Sequence, residues 1–351
     1  MINEAHGNLL EADVEALVNT VNTVGVMGKG IALQFARAFP AMLSDYEKAA
    51  KRGEIRLGRM HLWANDALTG PRWVINFPSK GHWRARSRLA DIEAGLADLV
   101  QVIRDRGIAS VAVPPLGCGN GGLRWDDVRP LIEEAFAVVP DIDVRVYPPE
   151  GAPAARAMPS ATRRPGWTTG KAALVDVVAR YSQRALDVSL IEVQKLTYFL
   201  QVAGEPLRLE FVKGVYGPYA ENLRFSLLAV EGHFLTGFGD GSLPVTSAEP
   251  ISVVDGAAGE AEAMLAEHAD TRARIDRVLS LSDGFETAYG MELLSTVHWV
   301  AATHGAPDAA SATKLIGEWS PRKKRMFGAD HVEIAWQRLR DEAWLDDPGP
   351  S

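Results

Sequence analysis

Cysteine is almost missing from this chain. Cys118 is the single one in 351 residues, which excludes an internal disulfide and fits a reducing cytoplasm. No run of 18 apolar residues occurs, so a helix spanning a membrane is excluded and no membrane partner is expected. The opening MINEAHGNLLEADVE is polar and acidic, the wrong build for a secretory leader. A surplus of basic residues is also lacking, since the net charge is −8. Residues 1–150 hold 19 acidic and 17 basic side chains, 151–167 three arginines and no acid, and 168–351 26 acidic against 17 basic. A protein that grips nucleic acid tightly through phosphates shows a basic domain, and neither half is one. The acidic second half points instead to a basic partner.

What is present has the size for two domains, because a single core rarely grows past ~250–300 residues. PPEGAPAARAMPSATRRPGW (148–167) is rich in Pro, Ala and Gly without periodicity and reads as a linker. The expected division is 1–150, a linker at 151–167, and 168–351.

Before the linker, strand and helix patterns alternate. Strands are expected at 16–22, 60–65, 73–78, 110–117 and 144–149, with a turn at DALTGPR (66–72). Helices are expected at 28–39, 42–53, 87–107 and 125–139. This pattern specifies a three-layer α/β domain around a parallel or mixed sheet, whose ligands bind beyond the carboxyl ends of the strands. After the linker the chain reads as mainly helical, at 171–186, 190–204, 220–234, around 257–280, 284–305 and 329–345. RLEFVKGVYGP (208–218) suggests a hairpin.

Two glycine-rich loops, TVGVMGKGIA (23–32) and PPLGCGNGGLRW (114–125), each leave a strand and feed a helix. Glycines admit close approach and positive φ, and a helix N-terminus offers N–H groups and partial positive charge. The pair makes a cradle for a diphosphate, although either loop alone is also an ordinary tight turn. GVMGKGIA lacks the spacing and Ser/Thr of a P-loop, and GCGNGG comes too late for a dinucleotide fingerprint, so ATP and NAD are disfavoured. Asn19 and Asn22, before the first loop, could bond sugar hydroxyls or cap the strand. Lys29 is a candidate phosphate contact or a solvated loop lysine.

In NFPSKGHWR (76–84), Lys80 follows an apolar strand and a proline. A lysine with such an approach can lose pKa and act as a nucleophile, whereas most lysines serve the solvated surface. His82 is a candidate acid or base, or a structural histidine. Cys118 would need a neighbouring base to react, and reads as a small packed residue.

GNLL (7–10), VNTVN…GVMGKGIALQF, NFPSKGHWR and PPLGCGNGGLRWDDVRPLIEEAF together resemble a macrodomain, most closely its DNA ADP-ribosyl glycohydrolase branch, the DarG antitoxins. IEVQKLTYFLQ, FVKGVYGPYAENL and EGHFLTGFGDG (191–241) resemble the C-terminal domain of those antitoxins. The resemblance implies a hydrolase that removes ADP-ribose from thymine bases of single-stranded DNA and opposes a DarT-like DNA ADP-ribosyltransferase toxin. It implies adenine near Asn8 and Leu9 and the distal ribose near Thr20 and Asn22. The diphosphate would lie between Val26, Met27, Gly28, Lys29, Gly30, Ile31 and Gly117, Cys118, Gly119, Asn120, Gly121, Gly122, Leu123. Lys80 would be catalytic, with neither cofactor nor metal ion. Asn8 stands where most macrodomains carry aspartate, and residues 120–122 offer no carboxylate, so water or His82 would assist release of the lysine adduct. The acidic helical domain would imitate nucleic acid in the toxin's basic groove. Its charge concentrates in 201–300, with 15 acidic and six basic residues; a solvated surface is the plainer explanation. RKKR (322–325) reads as an exposed turn or a DNA contact. Two other readings are an ADP-ribose reader without turnover, and a hydrolase of O-acetyl-ADP-ribose or protein-linked ADP-ribose.

Overall fold

The computed structural model describes residues 1–67 and 69–346. Leu68, within the expected turn at 66–72, and residues 347–351, at the end of the expected second domain, lie outside the described residues. The chain forms two compact units: Met1–Arg163 with Asp240–Ser242, and Arg164–Gly239 with the residues from Leu243 onward.

The first unit contains strands β1 (Ile2–Glu4), β2 (Ala16–Asn22), β3 (His61–Ala64), β4 (Trp73–Lys80), β5 (Ser110–Val113) and β6 (Asp143–Val146), with helices α1 (Gly30–Ala38), α2 (Pro40–Lys51), α3 (Leu89–Arg106) and α4 (Trp125–Phe136). Its sheet runs β1-β6-β5-β2-β4-β3. Every pairing is parallel except the antiparallel β3–β4 pair. The sheet is therefore mixed, and the fold is α/β.

Alternation along β2 builds the three layers, because successive strand side chains point to opposite faces. Ala16 and Val18 pack with Phe77 and with Leu96, Leu99, Val128 and Ile132 of α3 and α4. Leu17 and Val21 pack with Phe35 of α1 and with Met42 and Tyr46 of α2. Helix α3 lies so close to the sheet that a Cβ on Gly95 would fall 2.2 Å from Phe77 Cζ. The long central strands β2 and β4 end side by side, with Asn22 opposite Lys80 after a register shift at Val21/Asn22. The first glycine loop departs from that shared end, and the second follows β5, the neighbour of β2.

The second unit is mainly helical: α5 (Thr169–Tyr181), α6 (Leu190–Val202), α7 (Leu223–Val230), α8 (Ala257–Leu265), α9 (Ala269–Ser282), α10 (Ala288–His304), α11 (Ala309–Trp319), α12 (Pro321–Met326) and α13 (Ala329–Asp341). Two short antiparallel pairs interrupt it, β7 (Phe211–Gly214) with β8 (Gly217–Ala220) and β9 (Leu235–Thr236) with β10 (Ser252–Val253). Its core gathers Tyr198, Phe199, Val297 and Trp344. His298 inside that core bonds Tyr198 Oη at 2.7 Å and the Trp344 carbonyl at 3.2 Å. Burial pushes its pKa down to about 4, so the imidazole is neutral.

RKKR is helical rather than a turn, and it is exposed at Lys324 and Arg325. It forms most of α12, and Lys323 is fully buried. Lys323 Nζ donates to Glu292 at 2.8 Å and to Thr296 Oγ1 at 3.0 Å, while Arg322 donates to both Glu292 carboxylate oxygens at 2.6 and 3.1 Å. A run of four cations conceals a buried ion-pair cluster, because its partner carboxylate lies 30 residues upstream. The acidic surplus of 201–300 is likewise partly internal. Buried Glu205 accepts from Thr271 and Arg274, and buried Glu231 accepts from the amides of Gly237 and Phe238. Glu262, Glu267 and Asp270, on and between α8 and α9, are exposed.

Among the described residues, no helix is long and apolar enough to cross a membrane.

Candidate active site

Lys80 is the last residue of β4 rather than a loop residue beyond it. The six residues before it, Val74 to Ser79, are buried, and Lys80 itself is half-buried. Removal of water from around the ammonium lowers its pKa below the usual 10.5. Its Nζ donates to the Asn120 carbonyl at 2.9 Å, which ties the end of the central strand to the second glycine loop.

That loop closes on itself. Leu123 N–H donates to Gly117 O at 3.0 Å, Gly122 N–H to Gly119 O at 3.1 Å, and Ser87 N–H to Gly121 O at 3.0 Å. Glycine is required at Gly121 by space alone, since a Cβ there would lie 2.3 Å from Ser87 Oγ and 2.4 Å from Gly117 O. Gly117 needs glycine through its backbone, with φ of +71°. Cys118 is half-buried, and burial with nearby Asp127 raises its thiol to about 11. It is a protonated packing residue, not a thiolate nucleophile.

Asn22 organises the first loop. Its Nδ2 donates to Val26 O at 2.6 Å, and its Oδ1 accepts from Val24 N–H at 3.1 Å and Val26 N–H at 3.3 Å. The buried Tyr46 hydroxyl of α2 donates to the Asn22 carbonyl. The amide expected to meet a sugar is thus engaged in shaping the loop. The loop enters α1 through Lys29, exposed and extended (φ −164°, ψ 153°), with no side-chain cap on the helix. For that reason α1 starts at Gly30 rather than at residue 28. Gly28 is exposed, Met27 is buried, Val26 is 42% exposed and Ile31 is half-buried.

The two loops meet at Asn120. A Cβ on Gly30 would approach Asn120 Nδ2 to 3.1 Å, while the Asn120 carbonyl holds Lys80. One residue therefore touches the start of α1 and the lysine at the end of β4. Gly119 and Gly122 are exposed, Gly122 at φ +76°, and Leu123 is half-buried.

Other expected positions have separate surroundings. Asn8 caps the short 3-10 turn Leu9–Glu11, accepting from Leu10 N–H at 3.1 Å, and donates to Ala157 O at 3.0 Å. Leu9 is buried in the α1/α2 core. Thr20 is half-buried on β2 opposite Phe77. Asn19 is not a sugar contact. It is completely buried and donates to Asn76 Oδ1 at 2.8 Å, because strand alternation turns it toward the layer holding Met27 and Met42. His82 is exposed, its Nδ1 accepting from Arg84 N–H at 3.2 Å. Among the described residues, no group of three or more His, Cys, Asp or Glu is arranged to hold a metal ion.

Tyr46 and Ser87 shape the loops and were not legible as site residues. Tyr46 sits in the Met42, Tyr46, Ala49 stripe of α2 and reads as core. Ser87 lies in a polar run before α3.

Residues 18–132 match the Macro domain family model. A Mycobacterium tuberculosis DNA ADP-ribosyl glycohydrolase is 46% identical over 351 residues, covering 97% of this chain and 99% of the relative. The Thermus aquaticus DNA ADP-ribosyl glycohydrolase is 43% identical over 354 residues, covering 99% and 97%. A Thermosipho africanus DNA ADP-ribosyl transferase–DNA ADP-ribosyl glycohydrolase fusion protein is 34% identical over 158 residues, 41% of this chain and 40% of the fusion. The solved macrodomain of M. tuberculosis DarG is 60% identical, covers 43% of this chain and 99% of its own, and has a TM-score of 0.42. With close similarity to whole glycohydrolases across nearly its full length, the chain belongs to the DNA ADP-ribosyl glycohydrolase (DarG) family of macrodomain proteins.

Proposed function

We propose that this chain is a cytoplasmic antitoxin with a macrodomain at 1–150, a linker at 151–167 and a toxin-binding domain at 168–351. The macrodomain removes ADP-ribose from thymine in single-stranded DNA. The observation that carries the mechanism is Lys80 itself: half-buried at the carboxyl end of β4, lowered in pKa, and held at Asn120 between the two glycine loops.

The diphosphate lies between residues 26–31 and 117–123, where glycines and the start of α1 admit an anion. The distal ribose lies against Asn22 and Thr20, and the adenine against Asn8 and Leu9. Neutral Lys80 attacks the anomeric carbon of that ribose; the C–N bond to thymine breaks and its electron pair leaves with the base. Water then cleaves the lysine adduct, returning the amine and releasing ADP-ribose. His82 Nδ1 is occupied by the Arg84 amide, so its part in moving the proton falls to Nε2.

The Thermosipho relative, whose name joins a transferase to a glycohydrolase in one chain, supports a DNA ADP-ribosyltransferase as partner. Exposed Glu262, Glu267 and Asp270 supply the acidic face that such an enzyme's DNA groove would accept. The test uses the full chain carrying Lys80→Ala against the purified partner transferase. Continued suppression of DNA modification by this variant supports blockade by the second domain. Unimpeded modification contradicts it.

A further inference from the structure

Directly beyond Lys80, residues His82–Trp83–Arg84 form an exposed stack with no part in the chemistry above apart from His82 Nε2. The Trp83 ring is 46% exposed. The His82 imidazole stacks on it at 5.2 Å and 30°, and the Arg84 guanidinium lies 4.4 Å from the ring centre. An indole left in water beside two other flat polarizable groups is a surface on which nucleobases stack, since each base has a π-face.

Charge agrees with that chemistry. From residue 82 to residue 88 there are three arginines and no acid. Arg88 is neutralised by bidentate bonds to Asp91 at 2.8 Å each. Arg84 and Arg86 remain exposed, a local positive patch on a chain of net charge −8. The turn is fixed by Ala85 N–H to His82 O at 2.9 Å and by Arg84 N–H to His82 Nδ1 at 3.2 Å. Ser87 N–H to Gly121 O at 3.0 Å anchors it on the loop that holds Lys80, and Arg86 Nε lies 3.8 Å from the Cβ position of Gly122. Trp83 lies three positions along the chain from Lys80, at most about 11 Å and less in a turn. The nucleotide next to the one in the pocket is within reach.

We propose that Trp83, framed by His82 and Arg84, stacks a base adjacent to the modified nucleotide of single-stranded DNA, with Arg84 and Arg86 on its phosphates. The proposal rests on the reading of Lys80 as the centre of DNA deribosylation. It makes the site prefer modified oligonucleotides over the modified nucleoside, and gives it a preference set by the flanking base.

The experiment compares wild type with Trp83→Ala and Trp83→Phe on ADP-ribosylated thymidine and on an ADP-ribosylated single-stranded oligonucleotide. Trp83→Ala should raise KM for the oligonucleotide by about 5- to 150-fold, leave the nucleoside kinetics as they were, and be largely rescued by Trp83→Phe. Arg84→Ala should reduce the slope of log KM against log salt by about 0.7. Equal loss on both substrates, or loss on neither, overturns the proposal. So does unchanged oligonucleotide cleavage with weakened binding of the toxin, which would assign the surface to a protein. If wild type cleaves neither substrate, the thymine reading fails. Binding of unmodified oligonucleotide then decides the platform: it supports the proposal if lost in Trp83→Ala and overturns it if kept.

Discussion

Gly121→Ala should disable the site while leaving the fold standing. The new Cβ would lie 2.4 Å from Gly117 O, 3.0 Å from Gly117 C and 2.3 Å from Ser87 Oγ. The Ser87 hydroxyl can rotate away; the Gly117 carbonyl is backbone inside a closed loop. An ordinary carbon–oxygen approach is about 3.3 Å, so the loop must open by about 0.9 Å. Asn120, the residue before Gly121, carries the carbonyl that holds Lys80 Nζ at 2.9 Å. A displacement of that size stretches the bond to about 3.8 Å, beyond hydrogen-bonding range. Overpacking of this kind costs about 1–3 kcal/mol. In a unit of this size that lowers the melting temperature by roughly 2–12 °C. Misplacing binding groups by about 1 Å should weaken ADP-ribose binding or turnover by about 10- to 100-fold. The assay is calorimetric titration with ADP-ribose alongside thermal melting. Gly119→Ala is the control for melting, because a Cβ there meets nothing within 4 Å. Wild-type affinity and melting temperature in Gly121→Ala would refute the close packing of this loop.

Two further outcomes follow from the charges. The proposed attack needs the neutral amine of Lys80, and burial lowers its pKa from 10.5; the pH profile of kcat/KM should therefore rise with pH and level off below 10.5. A rate that falls as pH increases across that range would exclude the amine as nucleophile. In the second unit, Glu292→Ala leaves Lys323 buried without a counter-ion and should destabilise the protein by about 3–5 kcal/mol. Chemical denaturation measures this, and a change below about 1 kcal/mol would show that the cluster is not desolvated as described.

The layers of the first unit were legible because β2 and β4 are long apolar strands and each is followed by a glycine-bearing loop. β1 was not, since Ile2–Glu4 are all exposed and show no alternation; pairing with β6 alone makes them a strand. Asn19 and Asn22 are the same residue type three positions apart and both are buried; Asn19 bonds Asn76 within the sheet, whereas Asn22, past the register shift at the strand end, bonds the backbone of Val24 and Val26. The α12 helix escaped notice because Lys323 is a core residue only once Glu292 reaches it across the fold. Periodicity reports local faces, whereas ion pairs across 31 residues leave no periodic trace.

The most direct test of the account is release of ADP-ribose from thymine-modified single-stranded DNA by wild type and by Lys80→Ala, with ADP-ribose binding measured on both. Wild type should release ADP-ribose, and a folded variant that still binds it should release none. Equal release by the two proteins would contradict this, because the anomeric carbon would then be opened without the lysine at the end of β4.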